Sequence, residues 1–258
     1  MAYSFYFGDT DSIDIGLKVD GTPDLGTAQR DGEYVPLPGK NRDDYIDYGR
    51  YKNVEFSLNV ALVQKGSKTV REMIDDVVNA YAYLQGYQYF EDSEHFNLST
   101  FAGLTNFGDF RRDMRRVGKA VMKFTRDPFW YDVTGLQFTD VSMLPETPTK
   151  VLTNPFKLIS KPIIEIETTE GAPGVYQYSI TDPDGNETVY NGSFPSRAAT
   201  AIIDCETENT KVIDSFGTVI FANFTVPDGF KEGENTFKLL SGKSRISSIK
   251  IKPRWRCL

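Results

Sequence analysis

Residues 54–86, VEFSLNVALVQKGSKTVREMIDDVVNAYAYLQG, change hydrophobic period once, and that change decides how the first half of the chain is read. Phe56, Leu58, Val60 and Leu62 alternate with their neighbours, the period of two that turns one face of a strand toward a core. From Val70 onward Met73, Ile74, Val77, Val78, Tyr81 and Leu84 recur at helical spacing instead, which predicts a helix over residues 69–85. Thr69 and Glu72 hold the positions of a capping box, in which hydroxyl and carboxylate satisfy free N–H groups of the first turn, and Gly86 supplies the stop.

Outward from this stretch period two dominates. Ala120, Met122 and Phe124 share one face of a further strand, with Val121, Lys123 and Thr125 opposite. Residues 8–53, rich in Asp, Gly and Tyr, read as a long arm or loop, and a segment of that length in a compact protein is usually functional. Strands flanking one helix describe an α+β domain over residues 1–135. Residues 136–155 collect Pro145, Pro148 and Pro155 among threonines and read as a linker. Residues 156–258 then carry short strands, expected at 162–167, 175–181, 201–205, 218–225, 236–240 and 246–252. Turn signals at Gly171, Asp184-Gly185, Asn191-Gly192, Asp228-Gly229 and Ser241-Gly242 separate them, which argues a β-sandwich of jelly-roll type. The fold class expected is mainly β with one principal helix.

A chain of 258 residues is long enough to bury two cores without staples. Cys205 and Cys257 form no Cys-x-x-Cys pair and read as free thiols, so no zinc or redox cofactor is expected. No apolar run approaches a membrane span, and the first residues lack the pattern of a signal peptide, so the expectation is a protein made and kept in a cytosol. On that reading the Asn-x-Ser/Thr triplets at Asn97, Asn186, Asn191 and Asn223 carry no glycan.

The net charge of −7 disfavours a nucleic-acid binder. Local charge differs: Arg111, Arg112, Arg115, Arg116, Lys119, Lys123 and Arg126 face only Asp109 and Asp113 in their stretch, and Lys243, Arg245, Lys250, Lys252, Arg254 and Arg256 crowd the last residues. An acidic body with basic patches suits self-association. The candidate subunit interface pairs Arg111, Arg112, Arg115, Arg116 and Lys119 with Asp43 and Asp44 of the acidic arm.

Catalytic patterns are sparse. His95 is the single histidine and lies in a polar context, which removes most nucleophile–base arrangements. Asp9, Asp11, Asp14 and the Asp43-Asp44 pair read as solvated loop charges rather than cation ligands. Residues 182–186 (DPDGN) imitate the start of a calcium loop, but its twelfth position is Ser193, where a bidentate Glu belongs, so a hairpin turn is expected. No Gly-rich phosphate cradle occurs. Tyr176, Tyr178, Tyr190 and Trp255 are candidate sugar-stacking residues if they lie on a solvent face; packing inside the sandwich is the competing reading. A wall-degrading hydrolase would need two close carboxylates in a cleft, and the abundance of acids among 36 Asp and Glu is no signal for that.

Three groups of residues resemble a known family. The first is residues 30–39 (RDGEYVPLPG) followed by 48–56 (YGRYKNVEF). The second is the capped helix followed by residues 116–131 (RVGKAVMKFTRDPFWY). The third runs from Asn154-Pro155 through 161–166 (KPIIEI), 202–206 (IIDCE) and 233–235 (GEN) to 249–256 (IKIKPRWR). In this order they resemble the distal tail proteins of siphophages infecting Gram-positive bacteria. The resemblance spans nearly the whole chain, although the stretch 41–48 is unusually acidic and the Asn154-Pro-Phe start lacks a Gly often seen there.

The resemblance implies a non-enzymatic structural virion protein at the tail tip, assembled in the bacterial cytoplasm. Its N-terminal domains would close a homohexameric ring, with galectin-like C-terminal sandwiches projecting outward. The ring would join the tail tube protein to the tail-tip or tail-associated lysin protein, often carry receptor-binding proteins, and pass DNA without specific binding. No membrane contact is implied. A carbohydrate-binding module for host-wall recognition is the alternative.

Overall fold

The computed structural model describes residues 3–64, 66–114, 117–169, 174–194, 198–220 and 224–258, with backbone alone at 111–114 and 209. The chain falls into two units, Met1–Trp130 and Tyr131–Cys257.

The first unit contains β1 (Phe5–Phe7), β2 (Thr10–Asp11), β3 (Leu17–Val19), β4 (Arg30–Val35), β5 (Asp44–Tyr51), β6 (Val54–Val63), α1 (Val70–Tyr81), β7 (Gln88–Asp92), β8 (Leu98–Asn106), β9 (Arg111–Met114) and β10 (Val117–Arg126). Its main sheet runs β2-β1-β7-β8-β10-β6-β3, with β9 also paired to β10. The centre is the antiparallel pair β6 and β10, in register from Val54↔Arg126 to Val63↔Val117. That register sets Phe56 opposite Phe124, with ring centroids 5.1 Å apart, so the alternation of each strand delivers its aromatic to the same face. Phe5, Phe7 and Phe90 complete the cluster.

Helix α1 packs on β6 and β10 through Val70, Met73, Val77 and Tyr81. Burying each such side chain is worth about 1.5–3 kcal/mol, and this burial rather than propensity holds so short a helix. The capping box forms as expected: the Glu72 N–H donates to Thr69 Oγ1 at 3.3 Å and the Thr69 N–H to Glu72 Oε2 at 2.7 Å. The helix stops at Tyr81, short of Gln85, because the chain turns there and lays Leu84 against Gly8.

One expectation about the first unit changes. The segment 8–53 is not one arm, since β2 and β3 join the sheet and Leu17 and Val19 bury opposite Leu62 and Val60. The arm proper is the hairpin of β4 and β5, a separate two-stranded sheet.

The boundary falls inside β11 (Trp130–Asp132), after Trp130, and the second unit continues with β12 (Thr139–Asp140), β13 (Thr149–Asn154), β14 (Ile163–Thr168), β15 (Gly174–Thr181), β16 (Glu187–Phe194), β17 (Ala199–Asp204), β18 (Asn209–Asp214), β19 (Val219–Ile220), β20 (Gly233–Ser241), β21 (Ile246–Lys252) and β22 (Arg256–Cys257). One sheet runs β12-β21-β14-β17-β18-β19 and the other β13-β20-β15-β16. Ile164, Ile166, Ala201, Ile203, Ile249 and Ile251 of the first meet Tyr176, Tyr178, Tyr190, Phe237 and Leu239 of the second in one core, which makes the unit a β-sandwich.

The stretch 136–155 does not link domains. It supplies the edge strands β12 and β13, and Val141 and Leu152 enter the core; Pro145 and Pro148 flank an edge strand, where a missing N–H costs no ladder bond. Asn191-Gly192 is no turn either, but the middle of β16: a Cβ on Gly192 would overlap the rings of Tyr176 and Phe224, so glycine marks a close approach rather than a bend. Gly171 lies outside the described residues.

The C-terminal stretches that carry the resemblance meet in this unit. Arg254 Nη1 donates to Asp204 Oδ1 at 2.8 Å and Arg256 Nη1 to Glu206 Oε2 at 2.6 Å, which ties 249–256 to 202–206. Asn154, almost fully buried, donates from Nδ2 to the carbonyls of Leu158 and Phe230 and accepts the Phe156 N–H. Asn235 is likewise enclosed, satisfying the backbone of Lys231 and Gly233. These contacts close the sandwich.

Candidate assembly interface

The arm is built from a sequence that alternates without a dry side. Tyr34 opposes Tyr45, with ring centroids 4.9 Å apart, while Glu33 opposes Ile46 on the reverse face. Tyr34, Tyr45, Ile46 and Tyr48 are exposed by 71%, 43%, 45% and 51%. Gly32 is required beneath Tyr45, since a Cβ there would overlap the Tyr45 hydroxyl and the Ile46 carbonyl. A lone two-stranded ribbon is marginal in water, and this one exposes aromatic surface on both faces, the condition of an element that packs against a partner.

Charge fixes the root of the arm. Asp31, largely buried, accepts Arg50 Nε at 2.7 Å and approaches Lys52 Nζ at 3.5 Å. The Arg50 hydrogen bond foremost, aided by the charges of Arg50 and Lys52, holds the Asp31 carboxyl below the usual carboxylate range. Arg30 Nε donates to Asp47 at 2.8 Å while its guanidinium lies 5.0 Å over the Tyr51 ring. The Gly49 N–H and then Arg30 lower Asp47. Asp31, Arg50, Tyr51, Lys52 and Asn53 line a cavity of about 340 Å³ at this root.

The expected interface residues fall in two places. Asp43 and Asp44 sit exposed at the arm's tip, Asp44 3.6 Å from Lys40. Lys119 lies on the solvent face of β10, and the backbones of Arg111 and Arg112 pair with β10 through β9. Arg115 and Arg116 lie outside the described residues. Sequence reasoning passed over Tyr34, Tyr45, Arg50 and Lys52; their signal is the run of residues 44–51 (DYIDYGRY), which spaces apolar side chains so that neither face is wholly polar.

The sugar-stacking expectation is corrected. Tyr176, Tyr178, Tyr190 and Trp255 are 1%, 0%, 7% and 7% exposed and fill the sandwich core, so they offer no ring to a ligand. Burial pushes the Tyr176 and Tyr178 hydroxyls well above their usual range, and neither has a hydrogen-bond partner. Burial likewise pushes the Cys205 thiol up to about 12.

The remaining chemical candidates have local partners. His95 Nδ1 is 2.8 Å from Asp92 Oδ2, and its ring stacks on Trp130 at 4.2 Å. In the 182–186 turn the Lys231 ammonium stands 2.6 Å from Asp182 and 3.2 Å from Asp184, occupying the position a cation would take. Among the described residues no group of three or more His, Cys, Asp or Glu could hold a metal ion, and no helix is long and apolar enough to cross a membrane.

No protein-family model and no curated protein matches the chain. Solved structures do. The SPP1 Dit (gp 19.1) protein, described as a paradigm of the hub adsorption apparatus in phages infecting Gram-positive hosts, aligns over 100% of both chains with a TM-score of 0.62 at 12% identity. A chain of the phage p2 baseplate in its activated, strontium-bound conformation aligns over 97% of this chain and 96% of its own, with a TM-score of 0.53 at 11% identity. Over its full length the chain therefore shares the fold of the SPP1 hub protein.

Proposed function

We propose that this chain is a non-enzymatic structural protein of a virion, the distal tail hub of a long non-contractile phage tail. Six copies close a ring through the first unit, join the tail tube to the tail-tip protein and to baseplate or receptor-binding proteins, and leave a channel for DNA. The second unit serves as a galectin-like outward domain. The observation that carries this reading is the alignment with the SPP1 hub over 100% of both chains, because a shared catalytic core or isolated sandwich would align over one part only. The exposed aromatic arm agrees with it: ring closure needs a heterologous contact, in which one patch meets a different patch and the rotation closes on itself.

The test is the mass of the purified protein by light scattering across protein and salt concentrations, with negative-stain images of the largest species. A hexamer with a central channel is the expected result. A monomer at every concentration, with no ring when the tail tube protein is added, overturns the reading. The carbohydrate-binding alternative loses its ring-stacking residues to the core, so binding of host-wall glycans by the isolated protein would have to arise elsewhere on the sandwich.

A further inference from the structure

The turn between β7 and β8 is fixed from both sides, and it holds one bare aromatic ring into solvent. Asp92, whose side chain is buried, accepts the N–H groups of Glu94 and His95 at 2.7 Å each, and its second oxygen lies 2.8 Å from His95 Nδ1. The His95 ring stacks on Trp130 with centroids 4.2 Å apart. Ser93 exchanges hydrogen bonds with Ser4, and Asn97 closes the turn in the left-handed region at φ 63°. Phe96, between His95 and Asn97, is 84% exposed. A single exposed apolar residue on a loose segment needs no explanation. Here a buried carboxylate, costly unless its lone pairs are satisfied, fixes the backbone around the exposed ring. An aromatic ordered in advance loses little entropy on binding, which is the property of an interface anchor.

The surroundings select the partner. Strands β2, β1, β7 and β8 lie side by side at one end of the main sheet. Residues 1–17 and 72–110, which supply all four, contain no Lys or Arg, whereas Lys18, Lys119 and Lys123 belong to β3 and β10. Asp11 stands opposite Tyr6 and Tyr6 opposite Glu91, so two carboxylate residues flank a tyrosine on this end of the sheet, and Glu94 is exposed in the turn itself. Among the described residues neither Glu91 nor Glu94 pairs with a Lys or Arg; Glu91 accepts the Tyr89 hydroxyl. A pocket that receives Phe96 is therefore apolar within and basic at its rim, and nucleic acid does not fit, because its phosphates would meet carboxylates. A second copy offers no such pocket in the cavities described: that at the arm's root is lined by Asp31, Arg50 and Lys52, and that beside Val175, Asn191 and Thr225 has no basic residue.

We propose that Phe96 anchors a contact with a different virion protein, one that takes the ring into an apolar pocket rimmed by Lys and Arg. The inference rests on the hub reading above and assigns this contact to the β7–β8 turn rather than to the arm. Asp92 and His95 are positioning residues, holding the ring out without meeting the partner.

The full chain is mixed separately with the tail tube protein and with the tail-tip protein, and binding is followed by biolayer interferometry. Phe96→Ser should weaken binding to one of them by about 30-fold or more. Phe216→Ser is the control: it removes a ring 81% exposed on the β18–β19 turn and should leave binding unchanged. Glu94→Lys should slow association several-fold and flatten its dependence on salt. Phe96→p-benzoylphenylalanine should crosslink on irradiation to a peptide of the bound protein that carries Lys or Arg. A Phe96→Ser chain that binds both proteins as the parent does, an equal loss from Phe216→Ser, or a crosslink to another copy of this chain overturns the anchor and leaves the hub reading standing. Unchanged association of Glu94→Lys overturns the basic rim. A parent chain that binds neither protein overturns the anchor and the hub reading together.

Discussion

Replacing Arg126 with methionine should destabilise the first unit and loosen its arm together. Arg126 is 1% exposed at the end of β10. Its guanidinium donates to the carbonyls of Leu25 at 3.1 Å, Gly26 at 2.7 Å, Asp127 at 2.8 Å and Pro128 at 3.3 Å, and lies 5.1 Å over the Trp130 ring. Methionine fills the space of the stem but leaves four acceptors facing a group that cannot donate. Each orphaned acceptor costs about 1–3 kcal/mol, and the relief of no longer burying a charge offsets part of the sum. The net loss should be about 3–5 kcal/mol, the range for removing one partner of a buried charged network.

Urea unfolding reads this directly. The chain has two tryptophans, one in each unit, so in a Trp255→Phe background fluorescence reports Trp130 alone. At a slope of about 2 kcal/mol per molar, the midpoint should fall by roughly 2 M, and Arg126→Lys should fall between the two. Leu25 and Gly26 lead into β4, so the same variant should assemble more weakly at urea concentrations where it is still folded. A midpoint within about 0.3 M of the parent would refute the account, because it would mean that these carbonyls find other donors at no cost.

Tyr178 is fully buried with an unpartnered hydroxyl, so Tyr178→Phe should raise the stability of the second unit by about 1 kcal/mol; a measured loss would show that the hydroxyl is satisfied. The Asp182 carboxyl is lowered from 3.8 to about 2, first by its hydrogen bond from Lys231 and then by the Asn186 N–H. A depressed carboxyl contributes stability above its unfolded value that is lost as pH falls through the folded one, so the deficit of Asp182→Asn should close between pH 3.8 and about 2. A gap that ignores pH would refute the pairing. Gly32→Val should break the register of β4 on β5 and abolish ring formation while leaving the Trp130 unfolding midpoint unchanged; normal assembly would exclude the arm from the interface.

Much of the fold is legible because it follows from local chemistry. The capping box at Thr69, the alternation of Phe56 to Leu62 and the face shared by Ala120, Met122 and Phe124 are each repeated over several residues, and every repeat points to the same core. Departures occur where local signals are ambiguous. Asn191-Gly192 has turn composition, yet the Tyr176 ring lying across it keeps it in a strand. Residues 149–154 look like a linker because prolines bracket them, yet their six-residue pairing with β20 makes an edge of the sandwich. The strand at 209–214 escaped the sequence reading altogether, its apolar signal confined to Val212 and Ile213.

The candidate site divides the same way. The sequence by itself determined that the chain is mainly β with one helix, that its charge is segregated, and that acids cluster near residue 43, because periodicity and charge are properties of neighbours along the chain. Tertiary structure alone decided that Tyr176, Tyr178, Tyr190 and Trp255 face a core, that Asp204 and Glu206 meet Arg254 and Arg256, and that Asp31 gathers Arg50 and Lys52 at the root of a bare hairpin. A strand's alternation says that two faces differ, but which face meets water depends on what the rest of the chain packs against it.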